Sequence, residues 1–241
     1  MRSLLATLAL FVLCPAFAAT FDFELDYPEE KFEIERRMPE IEAGAKRLQE
    51  YWGFKPERAV KVRIKKFESN PNFLNCARIE GDGSIYIHSL KSLRDRESAP
   101  GMNPYCATRS YTDLADTILH EYSHVLDMRS APAGTKPLKW VWEGLAGHLS
   151  GQLDREEFAS GVSRRVKKEI LPIDVCTREF KADEAYTLGG ALIRYFERKS
   201  PGIGKQLRLA EKPMALASVL KPRGLSCLLT SSEIIQTLSE R

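Results

Sequence analysis

The sequence predicts an α+β fold, with strands confined to its first third and helices following them. Three observations support this. Residues 59–67, AVKVRIKKF, alternate Val60, Val62 and Ile64 with charged residues, the period of a half-exposed strand. The stretch from Thr112 to Met128 repeats apolar residues at helical spacing. Neither an internal repeat nor a regular strand–helix alternation is present, which separates the chain from doubly wound α/β folds.

Taken in order, residues 1–18 carry Arg2, an apolar run from Leu4 to Leu13, and the triplet Ala16-Phe17-Ala18. This is the layout of a secretory signal peptide, cleaved after Ala18 or Ala19. The run is too short to span a bilayer comfortably. Leu13 and Pro15 around Cys14 argue against lipid attachment there. What remains, residues 19–241, is roughly 220 residues, enough for one domain with a sizeable core. Within it an α/β part is expected over about 19–129 and a helical part over about 130–241. The expectation is an exported protein, secreted or periplasmic, with no stable membrane insertion after cleavage.

A polar, acidic start precedes a helix over Glu40–Trp52, with Ile41, Ala45, Leu48 and Trp52 on one face and Gly53 at its end. The strand over 59–67 follows. Gly81, Asp82 and Gly83 mark a turn before a second strand, Ile85–His88. The loop ESAPGMNPYCATRS then leads into the long helix, capped by Thr112 or Asp113. Ser130–Pro137 breaks the chain ahead of a helix from about Leu138 to Leu153. Further helices are expected over 156–170 and 183–199, and a last one opens on a capping box of Thr230 and Glu233.

The formal net charge of +3 includes Arg2, so the processed chain is nearly balanced and gives no argument for nucleic acid as a partner. The densest basic stretch, Ser163–Glu169, reads as the solvated face of a helix. Beyond residue 18 stand Cys76, Cys106, Cys176 and Cys227. An even count in an exported chain predicts two disulfides, and loop closure favours Cys76–Cys106 with Cys176–Cys227 among the three connectivities. No close Cys-x-x-Cys pair suggests a thiolate metal site.

Chemistry concentrates in ILHEYSHVLDM, residues 118–128. His120 and His124, four apart on a helix, can turn their imidazoles toward one ion, and Glu121 lies within reach of a water beside it. A catalytic zinc site needs a third protein ligand. A histidine six residues beyond His124 is absent, because Ser130 stands there. Glu143, with eighteen residues between it and His124, opens a second helix in WVWEGLAGHLS.

This pairing resembles the aminopeptidase-type gluzincins and their small peptidase-MA-like relatives, whose W-x-x-E-G-x-A-x-x-x-S/E stretch Trp140, Glu143, Gly144, Ala146 and Ser150 match. Trp142 departs from it, since an asparagine usually precedes the glutamate. The likeness covers roughly residues 80 to 200. It implies a zincin-like fold, with a small N-terminal mixed sheet, an active-site helix and a helical C-terminal part. It further implies Zn2+ held by His120, His124 and Glu143, with Glu121 as general base in hydrolysis of a peptide or protein substrate.

In such proteins a downstream tyrosine stabilises the oxyanion, and Tyr186 in AYTLGGALIRYFE is the matching candidate, with Tyr195 deeper in the helix as core. The strand Ile85–His88 is either a plain edge or one that pairs with extended substrate. His88 reads as a surface histidine, and His148 as supporting or structural. The aspartate that several gluzincins carry four residues beyond the ligand glutamate corresponds to Gly147, leaving Asp116 or Asp127 to orient the histidines. The segment Pro100–Tyr105 lacks the glutamate that would hold a free amino terminus. Two rival functions use the same residues: a non-catalytic zinc-containing binding or scaffold protein of the cell envelope, and an amidase acting on peptidoglycan peptides. Retention of Glu121 argues against the scaffold, because binding alone needs no general base.

Overall fold

Four strands run in the order β1-β2-β4-β3, in a computed structural model that describes residues 20–66, 76–94, 111–168 and 172–239. β1 (Phe21–Leu25) and β2 (Val60–Lys65) are parallel, β2 and β4 (Ile85–His88) are parallel, and β3 (Ala77–Ile79) returns antiparallel to β4. The sheet is therefore mixed, and the class is α+β. Val62 faces Ile85 and Ile64 faces Ile87 in register, so the alternation seen in the sequence becomes one buried apolar face.

Asp82 Oδ1 accepts from the Ser84 amide at 2.9 Å and Gly83 adopts φ 77°, which closes the expected turn between β3 and β4. β4 is not an edge, because β2 and β3 flank it. That corrects both readings of Ile85–His88, and among the described strands the edge on this side is β3. It also buries His88, which is 2% exposed with its ring edge-on to Tyr86, rather than leaving it on the surface.

The first helix, α1 (Pro28–Trp52), starts well before Glu40. Pro28 sits in its first turn, where a missing N–H costs nothing. Pro39, inside the helix and exposed, frees one carbonyl that water can satisfy. β1 replaces part of the expected polar start, since Phe21, Phe23 and Leu25 alternate with acids. After the short α2 (Leu90–Arg94), α3 (Tyr111–Ser130) packs along α1, where Gly44 faces Leu119 so closely that a Cβ would stand 2.4 Å from its Cδ1. Thr112 and Asp113 lie within the first turn of α3 rather than at its cap.

The rest is mostly helical. It comprises α4 (Lys139–Leu149), a 3-10 turn (Gln152–Asp154), α5 (Glu156–Lys167), β5 (Ile173–Asp174), α6 (Ala182–Lys199), α7 (Gly204–Leu207), α8 (Pro213–Leu220), β6 (Leu228–Leu229) and α9 (Ser231–Ser239). Gly151, at φ 88°, stops α4 before the expected Leu153. The capping box of α9 is realised, with Glu233 Oε2 accepting from the Thr230 amide at 2.8 Å. Val162 and Val166 of α5 are buried while Arg164 and Lys167 face out, the solvated basic face that was expected.

A disulfide joins Cys176 to Cys227 beside the β5–β6 pair. Cys76 is disulfide-bonded as well, and the expected partner Cys106 lies outside the described residues, as do residues 1–19 and Pro100–Tyr105. Among the described residues, no helix is long and apolar enough to cross a membrane. One contiguous core links the sheet with α1, α3, α4 and α6.

Candidate metal centre

α3 is buried on every side from Leu114 to Asp127, so a polar residue there is expected to have a partner, and one that lacks a protein partner stands out. His120 and His124 are 1% and 3% exposed and lie one turn apart on the face turned toward α4. Glu143, in the first turns of α4, reaches the same point. The Nε2 atoms of the two histidines are 3.2 Å apart, and Glu143 Oε2 lies 3.3 Å from the first and 3.4 Å from the second.

Three ligand atoms thus form a nearly equilateral triangle. A tetrahedral ion with bonds of about 2.0–2.2 Å separates its ligands by about 3.3–3.6 Å. The donor set, two imidazoles and a carboxylate, and the triangle they form therefore fit zinc with one position left open. Burial by itself would raise the Glu143 pKa, but contact with His120 and His124 outweighs it and holds the carboxyl below its ordinary range. A second cluster, Asp174 with Cys176 and Cys227, cannot serve likewise, because its sulfurs are joined in the disulfide.

Glu121 follows His120 and is 8% exposed, and its carboxylate forms no hydrogen bond or ion pair with another described residue. That leaves its oxygens available to a water. Tyr186 stands at the start of α6, with its ring stacked on that of His120 at 5.1 Å between centroids, and it is 37% exposed. The first turn of α6 is fixed by Glu184, whose carboxylate accepts from the Lys181 amide at 3.1 Å and from Arg178 at 3.0 Å. Burial pushes the Glu184 pKa up, but the amide and the arginines overcome it and the net direction is down.

Two glycines set how near Tyr186 comes. Gly144 and Gly189 meet where α4 crosses α6, and neither has room for a Cβ. The glycine after Glu143 and the one three residues after Tyr186 therefore share one function, close approach of two helices. Tyr195 is core, with its hydroxyl donating to Glu233 at 3.4 Å.

Trp142, the departure from the family pattern, lies against His124 with ring centroids 3.8 Å apart, and its indole N–H faces Asp127. It forms a wall of the centre. Neither aspartate offered as a partner for the histidines takes that role. Asp116 binds Arg155 Nε at 2.9 Å, and Asp127 forms a buried ion pair with Arg208. The partner of His120 is Gln152, with Oε1 3.2 Å from Nδ1. Sequence reasoning missed it, since the contact depends on a turn after α4 that only the left-handed Gly151 hinted at. His148 lies apart from the three ligand positions. Burial first, and the Arg194 charge second, lower its pKa to about 4.

Compared with known proteins, the chain matches no protein-family model, no curated protein and no solved structure.

Proposed function

We propose that this chain is a zinc-dependent peptidase of the gluzincin type, acting outside the cytosol on a peptide or protein substrate. One observation carries the reading. Two histidines and a glutamate from separate helices converge with mutual separations of 3.2–3.4 Å, beside a buried glutamate without a partner among the described residues.

When bound at His120, His124 and Glu143, zinc supplies polarisation of a carbonyl and acidification of a water. Glu121 accepts the proton of the attacking water and returns it to the departing amine. The Tyr186 hydroxyl donates a hydrogen bond to the oxygen on which negative charge develops. The stacked His120 ring and the Gly144–Gly189 crossing keep that tyrosine close. Export is supported by the apolar N-terminal run and by the Cys176–Cys227 disulfide, since such bonds persist in oxidising compartments.

The test is metal analysis of the purified protein, followed by incubation with a proteome-derived peptide library and mass-spectrometric reading of cleavage sites. Glu121→Gln and a chelated sample run beside it. Cleavage that both controls abolish supports the peptidase. One zinc per chain without cleavage of any peptide favours the scaffold, cleavage confined to peptidoglycan stem peptides favours the amidase, and a folded protein that takes up no zinc ends the proposal.

A further inference from the structure

We infer that Gln152 fixes the tautomer of His120, keeping Nδ1 protonated so that Nε2 presents its lone pair to the metal. The inference rests on the zinc reading above. A neutral imidazole carries one proton, and an acceptor placed opposite one nitrogen decides which nitrogen holds it. His120 Nε2 points at His124 Nε2 and Glu143 Oε2, while Nδ1 lies 3.2 Å from Gln152 Oε1. A metal on Nε2 leaves the single proton of the neutral ring to Nδ1, and Gln152, turned with its carbonyl oxygen toward that nitrogen, is placed to accept it.

Gln152 is held for this purpose. It is 5% exposed, in the 3-10 turn that Gly151 opens. Arg194 of α6 pairs with Asp154 and donates from Nη1 to the Leu153 carbonyl at 3.3 Å. Arg155, next in the chain, donates from Nε and Nη2 to Asp116 at 2.9 and 3.1 Å, one turn before His120 on α3. The turn is clamped between the helix that carries His120 and the helix that carries Tyr186.

Gly147 completes the arrangement. A Cβ there would stand 3.5 Å from Gln152 Oε1, so a side chain longer than alanine would contest the space the amide occupies. An amide orients the histidine as a carboxylate would, but without bringing another negative charge beside Glu143. Gln152 is thus a positioning residue, acting on the metal through His120.

The test uses 15N-histidine-labelled protein. Long-range 1H–15N spectra of the metal-free chain, at a pH where imidazole is neutral, should show His120 as the Nδ1–H tautomer in the wild type and in Gln152→Glu, and not in Gln152→Ala. Competition against a chromophoric chelator should show zinc binding about ten- to a hundredfold weaker in Gln152→Ala. Near-ultraviolet dichroism and the intact Cys176–Cys227 bond establish that the variants are folded. If Gln152→Ala keeps both the tautomer and the wild-type zinc affinity, the inference is overturned while the zinc reading stands. If the wild type shows the Nδ1–H tautomer yet binds no zinc, the tautomer assignment is upheld and the zinc reading falls.

Discussion

Gly144 and Gly189 approach so closely that a Cβ on the first would stand 2.5 Å from the carbonyl of the second, and one on the second 2.4 Å from the Trp140 carbonyl oxygen. Real Cβ atoms do not come so near to backbone, so the two helices would have to part. Glu143 precedes one of these glycines and Tyr186 lies a turn before the other, so the crossing sets the distance between the Glu143 carboxylate and the tyrosine. Gly189→Ala should therefore cost about 1–3 kcal/mol of stability, the usual penalty for overpacking. It should also lower turnover while leaving zinc content unchanged. Denaturant midpoints and metal analysis on one preparation check both parts, and an unchanged midpoint would show that the two helices have room for the methyl group.

Glu121 has the simplest prediction. Its carboxylate has no structural partner among the described residues, so Glu121→Gln should leave stability and zinc binding as they are. If it moves the proton, peptide turnover should fall by about a hundred- to ten-thousandfold. A variant that loses its metal would instead assign Glu121 to holding the site together.

Tyr186→Phe removes one hydroxyl and keeps the ring stacked on His120. Loss of an oxyanion donor should cut kcat by about a hundred- to a thousandfold with KM nearly unchanged. Equal loss in kcat/KM for peptides of different sequence would place the effect on the reacting carbonyl rather than on side-chain recognition. Wild-type turnover in the variant would reduce Tyr186 to packing.

Much of this centre is legible in the sequence because its parts are local. The i, i+4 spacing of His120 and His124 requires only a helix, and Leu114, Ile118, Tyr122 and Val125 announce that helix by period. Glu143 is legible because the break at Ser130–Pro137 forces a second helix to return. Gln152 and the Trp142–Asp127–Arg208 group are not, since each joins residues that only the tertiary fold brings together. β1 is legible too, as its Phe21, Phe23, Leu25 alternation closely follows the expected cleavage site, but acids between the apolar residues give it the look of a polar start. The start of α1 was hidden by Pro39, a helix breaker in most settings, tolerated here because it faces solvent.

The Asp127–Arg208 pair ties the end of α3 to the C-terminal part, with both side chains about 5% exposed or less. Burial raises the Asp127 pKa and the arginine opposes that shift. Arg208→Met should destabilise by about 3–5 kcal/mol, because it leaves a buried carboxylate uncompensated. Asp127→Asn in the same chain should recover part of the loss. Urea denaturation of the single and double variants gives the comparison, and equal stability of all three proteins would show the pair to be ornamental.

His148 predicts how the fold meets acid. Burial, then the Arg194 charge, lowers its pKa to about 4 from an ordinary 6.5. The native state therefore binds fewer protons than the unfolded chain between those values. Its contribution is fully present above about pH 6.5 and is lost as the pH falls toward about 4, at most about 3 kcal/mol over the window. Replacing it by glutamine, which does not titrate, should flatten the fall in stability between neutral and mildly acidic pH without altering zinc content at neutral pH. Because His148 shares α4 with Glu143, the wild type should lose zinc on acidification partly through weakening of this helix. Urea midpoints at several pH values, measured on metal-free protein, separate that effect from protonation of the ligands, and parallel curves for wild type and His148→Gln would assign the acid sensitivity elsewhere.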